Sequence, residues 1–359
     1  MNRQTQPVRE GSNLLDLNPE SLGGWIAAAG ESSFRAEEIL RWAFGRRARR
    51  FEEMTSLPSE LRRRLGDSFQ LRSSTLEACS EAADGTVKVL LKWRDGATTE
   101  SVMIPAPGGS TRRTVCLSTQ VGCDVGCRFC ASGIGGSLRD LSIGEILEQA
   151  FVIGEILAER DERLSHVVFM GMGEPLANYT ATVGAIRSLN APWGLGIGQR
   201  RITVSTVGLP KQIERLATEG LQITLALSLH APNDILRREL IPWAEGISLN
   251  RLLAACRSYL HRTGREITIE YCLLAGINDD EEHAVQLAGF ARQVRSHVNL
   301  LMYNPVEGLP YARPSRNRAI RFLKSLRSSG IGAHLRESRG LENTAACGQL
   351  RRVASSVQS

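Results

Sequence analysis

The apolar positions of this 359-residue chain follow three successive patterns. From Leu14 to about Leu71 they recur every three to four residues. This predicts amphipathic helices over residues 19–29, 34–46 and 58–69, punctuated by Gly30 and the Leu57-Pro58 step. From Leu76 to Pro107 the period falls to two. Residues 86–93 and 98–104 flank Arg94-Asp95-Gly96 as the arms of a hairpin, and Pro105-Ala106-Pro107-Gly108-Gly109 reads as a linker.

Beyond the linker, short apolar segments alternate with helical ones. Strands are predicted over residues 114–119, 166–171, 201–207, 222–229, 266–274, 297–304 and 331–336. The helices between them include residues 142–159, opened by a capping box of Ser142 and Glu145, and residues 316–329. Repeated βα units specify a parallel sheet, and six or so specify an open or partial barrel. The expected fold is therefore α/β, a partial (β/α)6 barrel over residues 110–345. A helical N-terminal domain (1–75) and a β-hairpin with linker (76–109) precede it, and a C-terminal segment (346–359) follows.

Ligands of such sheets bind at the carboxyl ends of the strands. A cysteine loop follows the first predicted strand, Gly171-Met172-Gly173-Glu174-Pro175 the second, Ser205 ends the third, Ser228-Leu229-His230 the fourth and Asn304 the sixth. In the loop, Cys123, Cys127 and Cys130 form C-x3-C-x2-C, with Cys116 seven residues upstream. Three thiolates can hold three irons of a [4Fe-4S] cube and leave the fourth iron open to a ligand. The competing reading is a four-thiolate zinc site, but that usually pairs two separated C-x2-C knuckles, whereas here all four cysteines fall between Cys116 and Cys130.

Composition adds a partner. The net charge is +6, with arginine clustered at Arg46, Arg47, Arg49 and Arg50, at Arg62 to Arg64, and in pairs such as Arg112/Arg113, Arg200/Arg201, Arg237/Arg238 and Arg351/Arg352. Arginine forks suit phosphates, so nucleic acid is the expected partner rather than a membrane. Residues 1–11 are polar and of mixed charge, which predicts a cytoplasmic protein whose cysteines are reduced or metal-bound. Cys79, Cys256 and Cys272 read as small apolar residues, and His166, His261, His283, His297 and His334 carry no motif.

The C-x3-C-x2-C loop and the Gly-rich turn with Glu174 resemble the radical S-adenosylmethionine superfamily. More narrowly, Cys116-Leu-Ser-Thr-Gln-Val-Gly-Cys123, Ala345-Ala-Cys347-Gly-Gln-Leu350, the Leu14-Leu-Asp-Leu-Asn18 opening, Phe34-Arg-Ala36 and Glu53-Met-Thr55 are similar to the RlmN/Cfr family. Its members methylate an adenine of 23S ribosomal RNA. The resemblance implies a [4Fe-4S] cluster on Cys123, Cys127 and Cys130, and S-adenosyl-L-methionine used twice per turnover. Gly173 and Glu174 would bind the methionyl end of that cofactor. Ser205, Ser228, Leu229, His230 and Asn304 would meet its carboxylate, ribose and adenine.

The family chemistry also implies why two further cysteines are present. An electron-poor adenine carbon does not attack a sulfonium methyl, so Cys347 takes the methyl first. A 5′-deoxyadenosyl radical then removes hydrogen from it, and the thiomethylene radical adds to the ring. Cys116 attacks the Cys347 sulfur to release the base as a transient disulfide forms, and Glu100 accepts the ring proton. Implied partners are 23S rRNA, transfer RNA, a cytosolic electron donor and a disulfide reductant, with the protein a monomer. The helical domain would grip RNA while the target base is unstacked.

Leu341-Glu-Asn-Thr344 and Leu138-Arg-Asp140 depart from the family pattern and leave carbon 8 as the alternative to carbon 2. A zinc-stabilised, non-catalytic RNA-binding module is the alternative from a different class.

Overall fold

The helical N-terminal unit is closed by a pairing of its own ends. In the computed structural model, which describes residues 11–351, β1 (Ser12–Asn13) pairs in parallel with β2 (Phe69–Gln70). Residues 1–10, Arg352 and the rest of the expected C-terminal segment lie outside the described residues. Between the two strands run α1 (Pro19–Ala28), α2 (Arg35–Phe44) and α3 (Ser59–Ser68), each within two residues of its predicted ends. Helix α1 starts through an Asn18/Ser21 capping box with Pro19 in its first turn, where a missing N–H costs nothing.

The predicted hairpin is larger than expected and is not a linker. Strands β3 (Ser74–Glu81), β4 (Val87–Trp93) and β5 (Thr98–Pro105) form an antiparallel meander, and β5 pairs with β6 (Arg113–Cys116), with Val102 opposite Cys116. Strand β3 escaped notice because most of its residues are exposed, so it shows no apolar alternation. The meander thus extends the barrel sheet, which has ten strands in one continuous order.

After β6, a short ribbon of β7 (Gln120–Gly122) and β8 (Ser137–Asp140) brackets the cysteine loop. The chain then winds as α4 (Ile143–Ala158), β9 (His166–Phe169), α5 (Tyr179–Asn190), β10 (Ile202–Thr206), α6 (Pro210–Leu216), β11 (Thr224–Ser228), α7 (Asp234–Leu240), α8 (Leu249–Thr263), β12 (Ile267–Leu273), α9 (Glu281–Ala291), β13 (Ser296–Met302), α10 (Arg316–Ser328) and β14 (Ala333–Arg336). Strands β6 and β9 to β14 are all parallel and neighbours in chain order, as a barrel requires. All seven predicted strands are present, and Ser142 and Glu145 cap α4 as expected.

The sheet faces divide by alternation. Val204, Leu225, Ile269 and Leu300 sit in the core under the helices. Their neighbours Thr203, Thr224, Thr268 and Asn299 line the barrel lumen.

The helical unit docks on α4 and on the turn after α5. Phe44 meets Phe151 at 5.2 Å and Trp193 at 5.4 Å, both edge-on, and such pairs add about 0.5–1.5 kcal/mol each beyond their buried area. The Glu148 carboxylate, fully buried on α4, accepts hydrogen bonds from Asn13, from the backbone and hydroxyl of Ser73, and from those of Ser74. It fixes the helical unit, the meander and the barrel to one another. Among the described residues no helix is long and apolar enough to cross a membrane.

Candidate active site

Ser118 anchors the start of the cysteine loop. Its backbone exchanges hydrogen bonds with the Gln149 amide (2.8 and 2.9 Å), and its hydroxyl donates to the Glu100 carbonyl (2.7 Å) and accepts the Met172 N–H (2.9 Å). The loop is tight: Gly122 has φ +91°, and a Cβ there would stand 2.1 Å from the Gly136 carbonyl oxygen. Val125 and Phe129 pack on Leu240, Ile241 and Ala244, and the Arg128 N–H donates to the Leu240 carbonyl (3.0 Å).

Cys123, Cys127 and Cys130 all line one cavity. Burial pushes their thiols up, Cys123 to about 12, so a bound cation is what would hold them as thiolates. Arg237 tests whether a cluster fits. It is 1% exposed, and one nitrogen donates to the Val207 carbonyl while Nε and Nη1 are buried without partners. Its charge acts on Cys127. A buried guanidinium with two idle donors is costly beside neutral thiols and matched beside an anionic, thiolate-ligated cluster. The loop fits [4Fe-4S]. Among the described residues no three His, Cys, Asp or Glu side chains converge as ligands of a single ion do, and Cys116 does not line this cavity. The zinc reading lacks its tetrahedron.

The opposite wall is built from strand ends. Gly173 has φ +97°, and a Cβ there would stand 2.7 Å from the Gln120 side chain. Gln120 Oε1 accepts the Glu174 N–H at 2.8 Å. Glu174 accepts the N–H groups of Leu176 and Val207, both at 2.9 Å, while burial raises its pKa to about 7. The hydroxyls of Ser205 and Ser228 lie 2.8 Å apart. His230, in the left-handed region at φ 56°, accepts the Cys272 N–H on Nδ1 at 3.0 Å, which assigns the proton to Nε2. Burial, aided by Arg237, lowers its pKa to about 3, so it is a neutral donor.

Two expected cofactor contacts stand differently. Leu229 is buried in the core and lines neither cavity described here, so only its backbone is near the rim. Asn304 lines the cavity, but its amide donates to the Cys347 carbonyl (3.0 Å) and accepts from Arg313 and Ser338. Here it holds the cysteine segment.

A second cavity occupies the barrel lumen, and Cys116 lines it together with Ala345, Ala346 and Leu350. Cys347 lines both cavities. Its surface is exposed to the cavity, yet surrounding protein pushes the thiol up to about 11, with Glu270 the leading charge. Cys116 is 6% exposed among Val102, Met172, Ala345 and Leu350, raised by burial and by Cys347.

The Cys347 segment is stitched down. The Ala131 N–H donates to the Gly348 carbonyl (2.8 Å), Ser132 to that of Leu350 (2.6 Å), and Gln349 to that of Pro305 (2.9 Å). Glu100 is buried and lines neither of the two cavities. Its oxygens are taken by Lys88 (2.8 Å) and by the Arg351 N–H (2.8 Å).

Sequence reasoning missed Cys272, Glu270 and Tyr303, all on the wall of the first cavity. Cys272 packs as a small apolar residue, as expected, and burial keeps its thiol neutral, but it does so on the cavity wall. The signal was available: in Ile267-Thr-Ile-Glu-Tyr-Cys-Leu273 the polar positions alternate with the apolar ones, which turns Thr268, Glu270 and Cys272 to one face.

Known proteins resemble this chain over most of its length. The Radical SAM superfamily matches residues 117–288, and the Ribosomal RNA large subunit methyltransferase N-terminal domain matches residues 12–71. A crystal structure of a radical SAM methyltransferase from Sphaerobacter thermophilus superposes with a TM-score of 0.91 at 43% identity, covering 95% of this chain and 99% of that one. Fold and loop together define a radical S-adenosylmethionine enzyme, the class whose cofactors are a [4Fe-4S] cluster and S-adenosyl-L-methionine. Proteins named "Probable dual-specificity RNA methyltransferase RlmN" are 49% identical in Gloeobacter violaceus (94% of this chain, 95% of theirs) and 48% in Thermosynechococcus vestitus (95% and 98%). The chain belongs to the RlmN family.

Proposed function

We propose that the chain methylates carbon 2 of an adenine in 23S ribosomal RNA and of the adenine 3′ of the anticodon in transfer RNA. Its relatives are named for dual-specificity RNA methylation. The observation that carries the mechanism is the position of Cys347 in the wall common to two cavities, with the cluster cysteines around one and Cys116 in the other.

Cys123, Cys127 and Cys130 hold the cluster, and Gly173 with Glu174 receives the methionyl ammonium group. Ser205, Ser228, His230 and the backbone at Leu229 orient the rest of the cofactor. When bound, the two cofactors supply a methyl group and a hydrogen-abstracting radical. The chain's own residues do the remainder. Cys347 carries the methyl on sulfur and joins its carbon to the unstacked adenine. Cys116 attacks that sulfur, which forms the Cys116–Cys347 disulfide and releases the base. Glu100, the expected acceptor of the ring proton, stands outside both cavities with its oxygens held by Lys88 and the Arg351 N–H, and takes no part in this reading.

The helical unit offers fewer arginines to RNA than its sequence suggested. Arg47 donates to the Gly154 carbonyl, Arg49 pairs with Glu155 (2.8 Å) and Arg64 donates to the Ala29 carbonyl (2.7 Å). Arg46, stacked on Trp42 at 4.0 Å, remains for phosphates, while Arg50 pairs with Glu53 at 3.6 Å. A cytoplasmic monomer, supplied with electrons and with thiols to reduce its disulfide, completes the reading.

Anaerobic reconstitution with iron and sulfide, then reaction with cofactor, reductant and a 23S RNA fragment, tests it. Mass spectrometry should find 2-methyladenosine with the wild type and none with Cys347→Ala. Appearance of 8-methyladenosine would move the assignment to carbon 8. Methylation without Cys347 would end it.

A further inference from the structure

Strand β12 carries a buried carboxyl group that no step above uses. Five residues border both cavities: Met170, Glu270, Leu301, Asn304 and Cys347. Only two of the five, Glu270 and Cys347, have titratable side chains. The thiol must lose a proton when its sulfur forms a bond to carbon, and a thiol raised by burial does not lose it unaided near neutral pH.

The other candidates in reach are occupied. Glu174 gives both oxygens to backbone N–H groups of Leu176 and Val207. The one basic nitrogen of neutral His230, Nδ1, accepts the Cys272 N–H. Glu100 lines neither cavity and is paired with Lys88. Glu270 keeps one hydrogen bond, Asn299 Nδ2 to Oε1 at 2.9 Å.

The other charged and titratable groups of the lumen are Arg336 on β14, Glu337 and Arg339 just beyond it, Arg112 before β6 and Cys116 on it, with Cys272 further along β12 in the first cavity and Cys347 above. Of the lumen cations, Arg336 acts on Glu270 and favours the carboxylate. Burial nonetheless raises the Glu270 pKa to about 7, within the range where a residue can both accept and return a proton at neutral pH.

We propose that Glu270 is the general base that takes the thiol proton of Cys347 as its sulfur accepts a methyl group. The proton passes to the Glu270 carboxylate and a carbon–sulfur bond forms at Cys347. The methyl–sulfonium bond breaks with its electron pair, leaving a neutral thioether. No oxidant or reductant is required. The inference rests on the reading that Cys347 is the methyl carrier.

The test uses the full chain without cluster or cofactor. Wild type, Glu270→Gln and Glu270→Asp are alkylated with iodoacetamide from pH 5.5 to 9. The rate at Cys347 is read by peptide mass spectrometry against exposed Cys79 as internal reference. Glu270→Gln should slow Cys347 by roughly a hundredfold at pH 7.5 and erase the inflection near pH 7. Glu270→Asp, which keeps the carboxylate, should retain the inflection at a reduced rate. An unchanged rate and profile in Glu270→Gln overturns the proposal, and so does loss of the fold by circular dichroism in both variants, which would make Glu270 structural. In a separate arm, wild-type chain reconstituted with its cluster that takes no methyl on Cys347 from S-adenosyl-L-methionine would instead overturn the methyl-carrier reading.

Discussion

The two cavities that meet at Cys347 are walled by different kinds of structure. The cluster cavity is made of loops at strand ends, where cysteines, Gly173 and backbone groups of consecutive residues face a ligand. The lumen cavity is made of strand interiors, Thr203, Thr224, Thr268 and Asn299, and is closed by the C-terminal segment. That segment sits on the meander. Gly340 and Ala83 donate backbone hydrogen bonds to Asp84 (3.0 Å) and Glu342 (2.9 Å), and Lys88 donates to Thr344 (2.8 Å). One cavity is set by local turns, the other by contacts between residues more than 250 positions apart.

Removing a group from each side should separate the two. Cys123→Ala has the largest effect, because it takes a ligand from the cluster side alone. Iron per reconstituted chain should fall from about four toward zero and RNA methylation should vanish, while the circular dichroism spectrum stays that of the wild type. An iron-loaded, active Cys123→Ala protein would remove the distinction between the cavities.

Cys116→Ala acts on the lumen side. Iron and cofactor binding should be retained, turnover should fall by about a hundredfold or more, and RNA should remain covalently attached to the protein on a denaturing gel. Free methylated RNA at the wild-type rate would show that Cys116 has no part in release.

The same division explains what the sequence revealed. The cluster cavity was legible because its residues come in short motifs: C-x3-C-x2-C, the Gly173-Glu174 turn and Ser228-Leu-His230 each lie within a few residues. All seven parallel strands were legible because each places apolar residues on the face packed under the helices, between turn and helix signals. The meander's role was hidden, since β3 is exposed and its partners are the end of the chain. Glu270, Cys272 and Arg237 were hidden for another reason. Their meaning lies in which way a side chain turns and in what lacks a partner, and both are fixed only by sheet register and helix packing.

The seat of the C-terminal segment can be loosened directly. Lys88→Met removes the cation that pairs with buried Glu100 and donates to Thr344. Leaving that carboxylate without its partner should cost about 2–3 kcal/mol in urea unfolding. The kcat for RNA methylation should fall by about tenfold while cluster loading holds, because only the lumen side is disturbed. Equal losses in iron content and kcat would mean that the two cavities rise and fall together.

The last effect is read by pH at the wall the two cavities share. The folded-state pKa of Glu270 is raised to about 7 from the ordinary 4.5 by burial, so the native chain holds a proton there that the unfolded chain has released. Between those two values stability falls as pH rises, and it levels off above about 7. The contribution is fully present below pH 4.5 and lost once the native carboxyl ionises. Glu270→Gln cannot ionise and should lack this slope. From pH 5 to pH 8 the cluster-free wild type should lose about 2–3 kcal/mol more than Glu270→Gln in urea unfolding, with the other titrating groups cancelling in the difference. Equal pH slopes would mean that Glu270 ionises as easily in the fold as in water. That would leave the lumen without a group able to take the Cys347 proton at neutral pH.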